Sequence, residues 1–352
     1  MTAPRPPRRT RCLTVGSSDS SGGAGIQGDL KAFASVGAYG ATVLVGVTAQ
    51  SPAGVIASAP VDLDLVAAQL DTVLADIGAD GVKVGTTWSA ALMHLVADRL
   101  AGIPAPLVVD PVLVTAAGSG LSGGQDAVDA LCERLLPMAA VTTPNFAEAR
   151  RLTGLTDETD PAVLAGALVR RGARAVVITD VPGGGDWLFD GRCHRAVPGP
   201  RHATGCEHGA GCAHSALLTA FLARGVPLPR AAELAHRAVA AGVANGAVDI
   251  GRDRHPVDLL TATATDTDTA SATESATATA IATGAAAAVG AATATATETG
   301  AASATESATG AATDTGAATD TGAATDTGAA TDTGATAAVG AAVVGGDRGR
   351  PA

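Results

Sequence analysis

Aromatic residues are scarce: two Trp, one Tyr and four Phe in 352 residues, all of them within the first 260. All five cysteines lie there too. Beyond Leu260 the chain is almost entirely Ala, Thr, Gly, Ser, Asp and Glu, so any packed core belongs to the part before it. Long apolar runs are also missing; a membrane span needs about 18 consecutive apolar residues, which argues against a membrane partner. Lysine is nearly absent, with Lys31 and Lys83 the only two. The preference for Arg reads as a bias of base composition and carries no functional inference. Net charge is −11, of which the segment from Thr261 contributes −8, leaving about −3 for the rest. A nearly neutral domain offers no electrostatic reason to expect nucleic acid. An odd cysteine count, spread widely, points to a reduced, cytoplasmic setting. Met1 to Arg11 is basic and Pro-rich but has no apolar core of a secretory signal, and is expected to be disordered.

What is present divides the chain into residues 1–11, a folded domain over 12–260, and a low-complexity tail over 261–352. The tail carries the hexad Gly-Ala-Ala-Thr-Asp-Thr four times from Gly310 to Thr333. A period of six suggests a β-helix. That fold stacks a bulky aliphatic residue on each turn, whereas Ala is the largest apolar residue here. Burial would not offset an ordering cost on the order of 1–2 kcal/mol per residue, so the tail is expected to be disordered.

Within the domain, short β-rich runs alternate with Ala/Leu-rich helical patterns. Strands are expected at 12–15, 42–48, 81–84, 107–109, 141–142 and 175–178. Helices are expected at 25–35, 63–76, 89–100, 126–136, 147–153, 162–171, 212–224 and 230–248. This alternation implies an α/β fold with a mostly parallel sheet and helices on both faces. Ligands in such sheets bind beyond the carboxyl ends of the strands.

Four motifs fall there. Ser20–Lys31 is a Gly-rich turn feeding a helix; it lacks both the dinucleotide-binding spacing and the Gly-Lys-Ser/Thr ending of a phosphate loop. Glu207-His208-Gly209-Ala210-Gly211-Cys212-Ala213-His214 leads into an apolar helix, where successive N–H groups and the helix dipole favour an anion. Such donors stabilise a migrating phosphoryl group. The same field should lower the pKa of the Cys212 thiol and let it accept a proton from an attacking hydroxyl. A rival reading takes His202, Cys206, His208, Cys212 and His214 as zinc ligands, but their spacing is not that of paired structural ligands. Asp110-Pro111-Val112 and Thr143-Pro144-Asn145-Phe146-Ala147-Glu148 each bring a carboxylate to the same edge, suited to magnesium with substrate phosphates.

Taken in order, these motifs resemble the hydroxymethylpyrimidine/phosphomethylpyrimidine kinases of thiamine biosynthesis, over about Cys12 to Val248. The resemblance extends to Gly37-Ala38-Tyr39-Gly40, Thr48-Ala49-Gln50, Lys83-Val84-Gly85 and Asp110–Val114. It implies a ribokinase-like three-layer sandwich and a phosphotransferase that uses ATP and Mg2+. Its substrates would be 4-amino-5-hydroxymethyl-2-methylpyrimidine and then the monophosphate, on a cytoplasmic homodimer. It assigns catalysis to Gly209, Ala210, Gly211 and Cys212, and substrate binding to Asp29, Gln50, Ser17 and Gly23. Nucleotide binding falls to Asn145, Glu148 and Thr179, and magnesium to Asp110 and Glu148. Cys212, where sugar kinases of this fold carry Asp, favours the pyrimidine or pyridoxal branch. The chain departs from the family's usual pattern at several points. Ser17 stands for Gly and Thr86 for Met. Thr179-Asp180-Val181-Pro182 replaces Lys-Gly-Gly-His, and Ala203–Glu207 replaces Asp-Thr-Lys-Asn-Thr. Two lysines are thereby lost and the acid Glu207 gained, with Arg201 or Arg174 as the available substitutes. These departures keep two alternatives open: a pyridoxal-type kinase of the same fold and a non-catalytic pyrimidine-binding relative.

Overall fold

A computed structural model of the chain describes residues 8–85, 88–112 and 124–260. The expected tail, Thr86, and the end of the Asp110–Val114 motif lie outside the described residues.

Nine strands form one sheet in the order β3-β2-β1-β4-β5-β6-β7-β8-β9. The six in the middle are parallel: β1 (Arg11–Asp19), β2 (Tyr39–Ser51), β4 (Gly81–Val84), β5 (Leu107–Val109), β6 (Val141–Thr142) and β7 (Val176–Ile178). β3 (Gly54–Pro60), β8 (Asp186–Phe189) and β9 (His194–Val197) add antiparallel edges. The sequence reading missed these three. β3 is exposed along most of its length and β9 along all but its last residue, whereas β8 alternates but spans only four residues. The β8–β9 turn did leave a signal, Asp190-Gly191, in which Gly191 adopts φ +87°.

Helices cover both faces, as the alternation implied. One core packs α2 (Leu63–Asp76), α3 (Ala90–Leu100), α4 (Gly124–Ala130), α5 (Phe146–Thr153) and α6 (Pro161–Arg170) onto the sheet through Leu70, Val96, Leu152 and Leu164. The other packs α1 (Gly25–Ser35), α7 (Ala210–Ala223) and α8 (Leu228–Ala244) through Phe33, Leu217 and Ala235. α4 passes into a π-helical turn over Leu131–Leu135, where a single α-helix was expected. No helix among the described residues is long and apolar enough to cross a membrane.

The described residues begin before residue 12. Arg11 opens β1, and both Arg8 and Arg11 pair with Asp80 at 2.9 and 2.8 Å. This corrects the expectation of disorder up to residue 11: two guanidinium groups share one carboxylate at the start of β4. Where β4 meets α7, Gly81 sets the spacing. A Cβ there would lie 2.8 Å from the Ala223 Cβ and 3.1 Å from the Thr219 carbonyl oxygen. Gly81→Val is therefore expected to lower unfolding free energy by about 2 kcal/mol through overpacking, measured by urea titration.

Candidate active site

The two Gly-rich loops meet at the carboxyl edge of the sheet, and their glycines are the reason they can. Gly209 is the N-cap of α7 with φ +85°, and a Cβ on it would lie 1.9 Å from the Gly23 carbonyl oxygen. A Cβ on Gly23 would in turn strike the His208 ring at 2.4 Å. Asp19, at the end of β1, fastens the pair. Its carboxylate accepts hydrogen bonds from the Ser21 and Ala24 amides, both at 2.8 Å, and from His208 Nε2 at 2.9 Å. Burial pushes the Asp19 carboxyl up, but these donors outweigh it and hold it down at about 2. Neither Asp19 nor the partnership of His208 was read from the sequence. The signal available was an acid at the end of an apolar strand.

Between the loops, α7 presents its first turn. Ala210 N–H bonds to the Glu207 carbonyl and Ala213 N–H to that of Gly209. Gly211 and Cys212 thus supply amides that no preceding carbonyl of the helix can reach. A Cβ on Gly211 would meet nothing within 4 Å, so backbone is open to a ligand there. An anion at this point faces N–H donors and the positive end of a 14-residue helix.

Beneath the cradle lies a buried ionic cluster. Lys83, in the middle of β4, is 1 % exposed. Its ammonium is 2.5 Å from Asp29 Oδ1 on α1, 3.7 Å from Asp110 Oδ2 beyond β5, and 3.5 Å from the Cys212 carbonyl oxygen. Thr14 donates to Asp29 at 2.6 Å and Ser215 to Asp110 at 2.8 Å. Burial alone would strip the Lys83 proton, yet Asp29, Cys212 and Asp110 hold its pKa above the ordinary lysine value. Burial raises both carboxyls, and Lys83 opposes it.

The Cys212 thiol departs from expectation. Burial pushes it up to about 12, and the neighbouring Asp110 and Asp29 add to that, against the opposing pull of Lys83 and a hydrogen bond from the Gly25 amide. The helix dipole therefore does not yield a thiolate at neutral pH. Asp29 departs as well. With both oxygens engaged by Lys83 and Thr14 and only 1 % of the residue exposed, it belongs to the cluster rather than to a substrate surface. Gln50 lies at the end of β2, its Oε1 accepting from Thr48 at 3.1 Å. Ser17 accepts a hydrogen bond from the Trp88 indole, a partner the sequence did not suggest.

Asn145 caps α5 and forms a reciprocal capping box with Glu148: each side chain accepts from the other residue's amide at 2.9 Å. Thr179 bridges to Asn145 from the end of β7. Of the two arginines, Arg201 reaches this edge and pairs with Asp180 at 3.0 Å. Arg174 precedes β7, at the opposite edge. The five residues of the zinc reading diverge: His208 turns to Asp19, His214 to Asp186 at 3.2 Å, and Cys206 packs against Gly246. Among the described residues no three His, Cys, Asp or Glu side chains gather as metal ligands. Asp186 accepts a hydrogen bond from His236 at 2.9 Å and lies in ion-pair range of His214, tying β8 to α7 and α8.

The Asp19–His208 pair is a point of attack. Since the folded state depresses the Asp19 pKa, its contribution is present above about pH 4 and is lost as pH falls toward 2. Asp19→Asn is expected to cost about 2 kcal/mol at pH 7, because it weakens the hydrogen bonds that Asp19 accepts from His208, Ser21 and Ala24. The deficit relative to the unaltered chain should shrink steadily between pH 4 and pH 2, as followed by denaturant unfolding at each pH.

Comparison with known proteins agrees with this geometry. The phosphomethylpyrimidine kinase family model matches residues 19–258. The hydroxymethylpyrimidine/phosphomethylpyrimidine kinase of Rhizobium meliloti (strain 1021) is 42% identical over 259 residues, covering 70% of this chain and 95% of that protein. The enzyme of the same name from Streptomyces coelicolor is 40% identical over 270 residues, covering 73% and 97%. Among solved structures, Bacillus subtilis pyridoxal kinase in its ADP complex matches with TM-score 0.65 and 32% identity, over 71% of this chain and 97% of that one. The phosphomethylpyrimidine kinase of Clostridium difficile 630 matches with TM-score 0.58 and 29% identity, over 66% and 98%. The fold is the ribokinase-like α/β sandwich that the motifs implied, and the chain belongs to the phosphomethylpyrimidine kinase family.

Proposed function

We propose that this protein transfers phosphoryl groups from ATP to 4-amino-5-hydroxymethyl-2-methylpyrimidine and then to its monophosphate, the kinase steps of thiamine biosynthesis. The observation that carries the reading is the anion cradle of Gly209 to Cys212, locked against Gly23 above the Lys83 cluster. A transferring phosphoryl group needs little covalent help and much charge neutralisation. The amides of Gly211 and Cys212 provide it, with the α7 dipole behind them. Ala210 spaces the two glycines. Because its thiol stays protonated, Cys212 acts from the donor side of the cradle, beside the attacking oxygen.

The donor set fits a nucleotide phosphate. ATP would supply the phosphoryl group, with magnesium, when bound, screening charge on the phosphate oxygens. Asp110 and Glu148 would hold the metal through water and phosphate, since both carboxylates are already braced, by Ser215 and by the Asn145 amide. Asn145 and Thr179 line the nucleotide side, where Arg201 takes over the charge of the missing lysines. Gln50 reads the ring's hydrogen-bonding edge, and Gly23 lets the loop approach it. A homodimer is expected along β3, whose unpaired edge carries Ile56 at 91 % exposure.

A pyridoxal-type kinase is the second reading, favoured by the likeness to the Bacillus subtilis pyridoxal kinase and by the altered Ser17 environment. Incubation with MgATP and either ring, following ADP release, separates the readings. We expect turnover with the pyrimidine. Turnover only with pyridoxal would favour the second reading, and saturable pyrimidine binding without ADP release would favour a non-catalytic relative. Cys212→Ala should lower kcat by about 10²-fold. For the first phosphorylation kcat should stay flat from pH 7 to 9; a steady rise would mean that a thiolate does the work. Sedimentation of Ile56→Asp should give monomer where the unaltered chain gives dimer.

A further inference from the structure

Trp88 makes contacts that the kinase reading leaves without a role. It lies just beyond β4, at the carboxyl edge of the sheet, partly exposed, with part of its ring against the core. Its indole N–H donates to the hydroxyl of Ser17, which is 8 % exposed. The ring also lies against Gly46: a Cβ there would come within 2.3 Å of Nε1 and 2.6 Å of Cε2. This meeting point is where the β1–β2 register slips, Gly16 pairing with Leu44 but Ser17 with Gly46. The slip brings Ser17 and Gly46 abreast, so one indole touches both. Two residues further along each strand stand Asp19, which fastens the glycine loops, and Thr48, whose hydroxyl bonds to Gln50.

A serine hydroxyl has one proton to give and two lone pairs. With the indole N–H occupying a lone pair, Ser17 keeps its proton for an acceptor, such as a ring nitrogen. We propose that Trp88 and Ser17 together form the recognition wall for a flat nitrogen heteroaromatic substrate. Ser17 donates to a ring acceptor, while the indole fixes that hydroxyl and limits ring substituents on its side. This rests on the reading of the site as a kinase of such rings and assigns its specificity to a pair of side chains. A partly exposed indole beside a buried donor suits a planar ring better than a sugar, whose hydroxyls project from both faces.

The test uses the full chain with Trp187→Phe, so that Trp88 is the remaining indole; Trp187 is engaged with His194 on β8 and β9. Titration with hydroxymethylpyrimidine in the absence of ATP should change Trp88 emission saturably. In steady-state assays Ser17→Ala and Trp88→Phe should each raise KM for the pyrimidine about tenfold, as expected for a lost or loosened hydrogen bond, with a smaller change in kcat. Ser17→Gly should likewise raise KM for the pyrimidine and shift the ratio of pyrimidine to pyridoxal kcat/KM, because it removes the donor that faces the ring. Variants whose melting temperature matches the parent are the ones compared. If the parent turns over the pyrimidine while all three variants keep its KM and its ring preference, the wall proposal falls and the kinase reading stands. If the parent turns over neither ring but the emission change saturates and is lost in Ser17→Ala, the kinase reading falls and the wall stands. Emission unmoved by either ring overturns the wall outright.

Discussion

A single ammonium group organises the site. Lys83 sits in the most central part of the sheet and touches α1 through Asp29, the end of β5 through Asp110, and the start of α7 through the Cys212 carbonyl. Taking that charge out of water is expensive, and only a full shell of acceptors offsets it. The shell is drawn from three separate elements, so the ion cluster fixes where those elements end relative to one another. A neutral side chain of the same length would leave two carboxylates facing each other below an anion site. The cradle above depends on that neutralisation as much as on its own amides.

The loops over the cluster follow from steric permission rather than attraction. Gly23 and Gly209 approach more closely than any side chain allows, and Asp19 with His208 holds the resulting contact. The permission is local and the fastening buried. The cradle is therefore preformed, and its donors need not reorganise when charge develops.

Much of this was legible in the chain. The six parallel strands and eight helices were legible, two helices with the observed ends, because helices buried on one face show a period and strands buried on both faces read as short continuous apolar runs. Of the antiparallel strands, β3 and β9 escaped because they are largely solvated, and β8 because four residues are too few to show a pattern. The site was legible as motifs, since glycines at a strand–helix junction have few other uses. Its wiring was not. Asp29 reads as a substrate ligand until Lys83 is seen against it, and the indole that restrains Ser17 lies 71 residues away. Long-range pairing of side chains leaves no periodic trace.

The protonation of Cys212 decides how the chemistry is shared. Burial, with Asp110 and Asp29 nearby, holds the Cys212 pKa well above the ordinary thiol value, so the thiolate is the minor form at neutral pH. Phosphoryl transfer through a loose transition state makes weak demands on the nucleophile, whose proton can leave late. The same carboxylates that keep the thiol protonated also keep Lys83 charged, and Lys83 lies 3.5 Å from the Cys212 carbonyl. The cluster thus gives up basicity at sulfur and keeps an ammonium that offsets Asp29 and Asp110 below the start of α7.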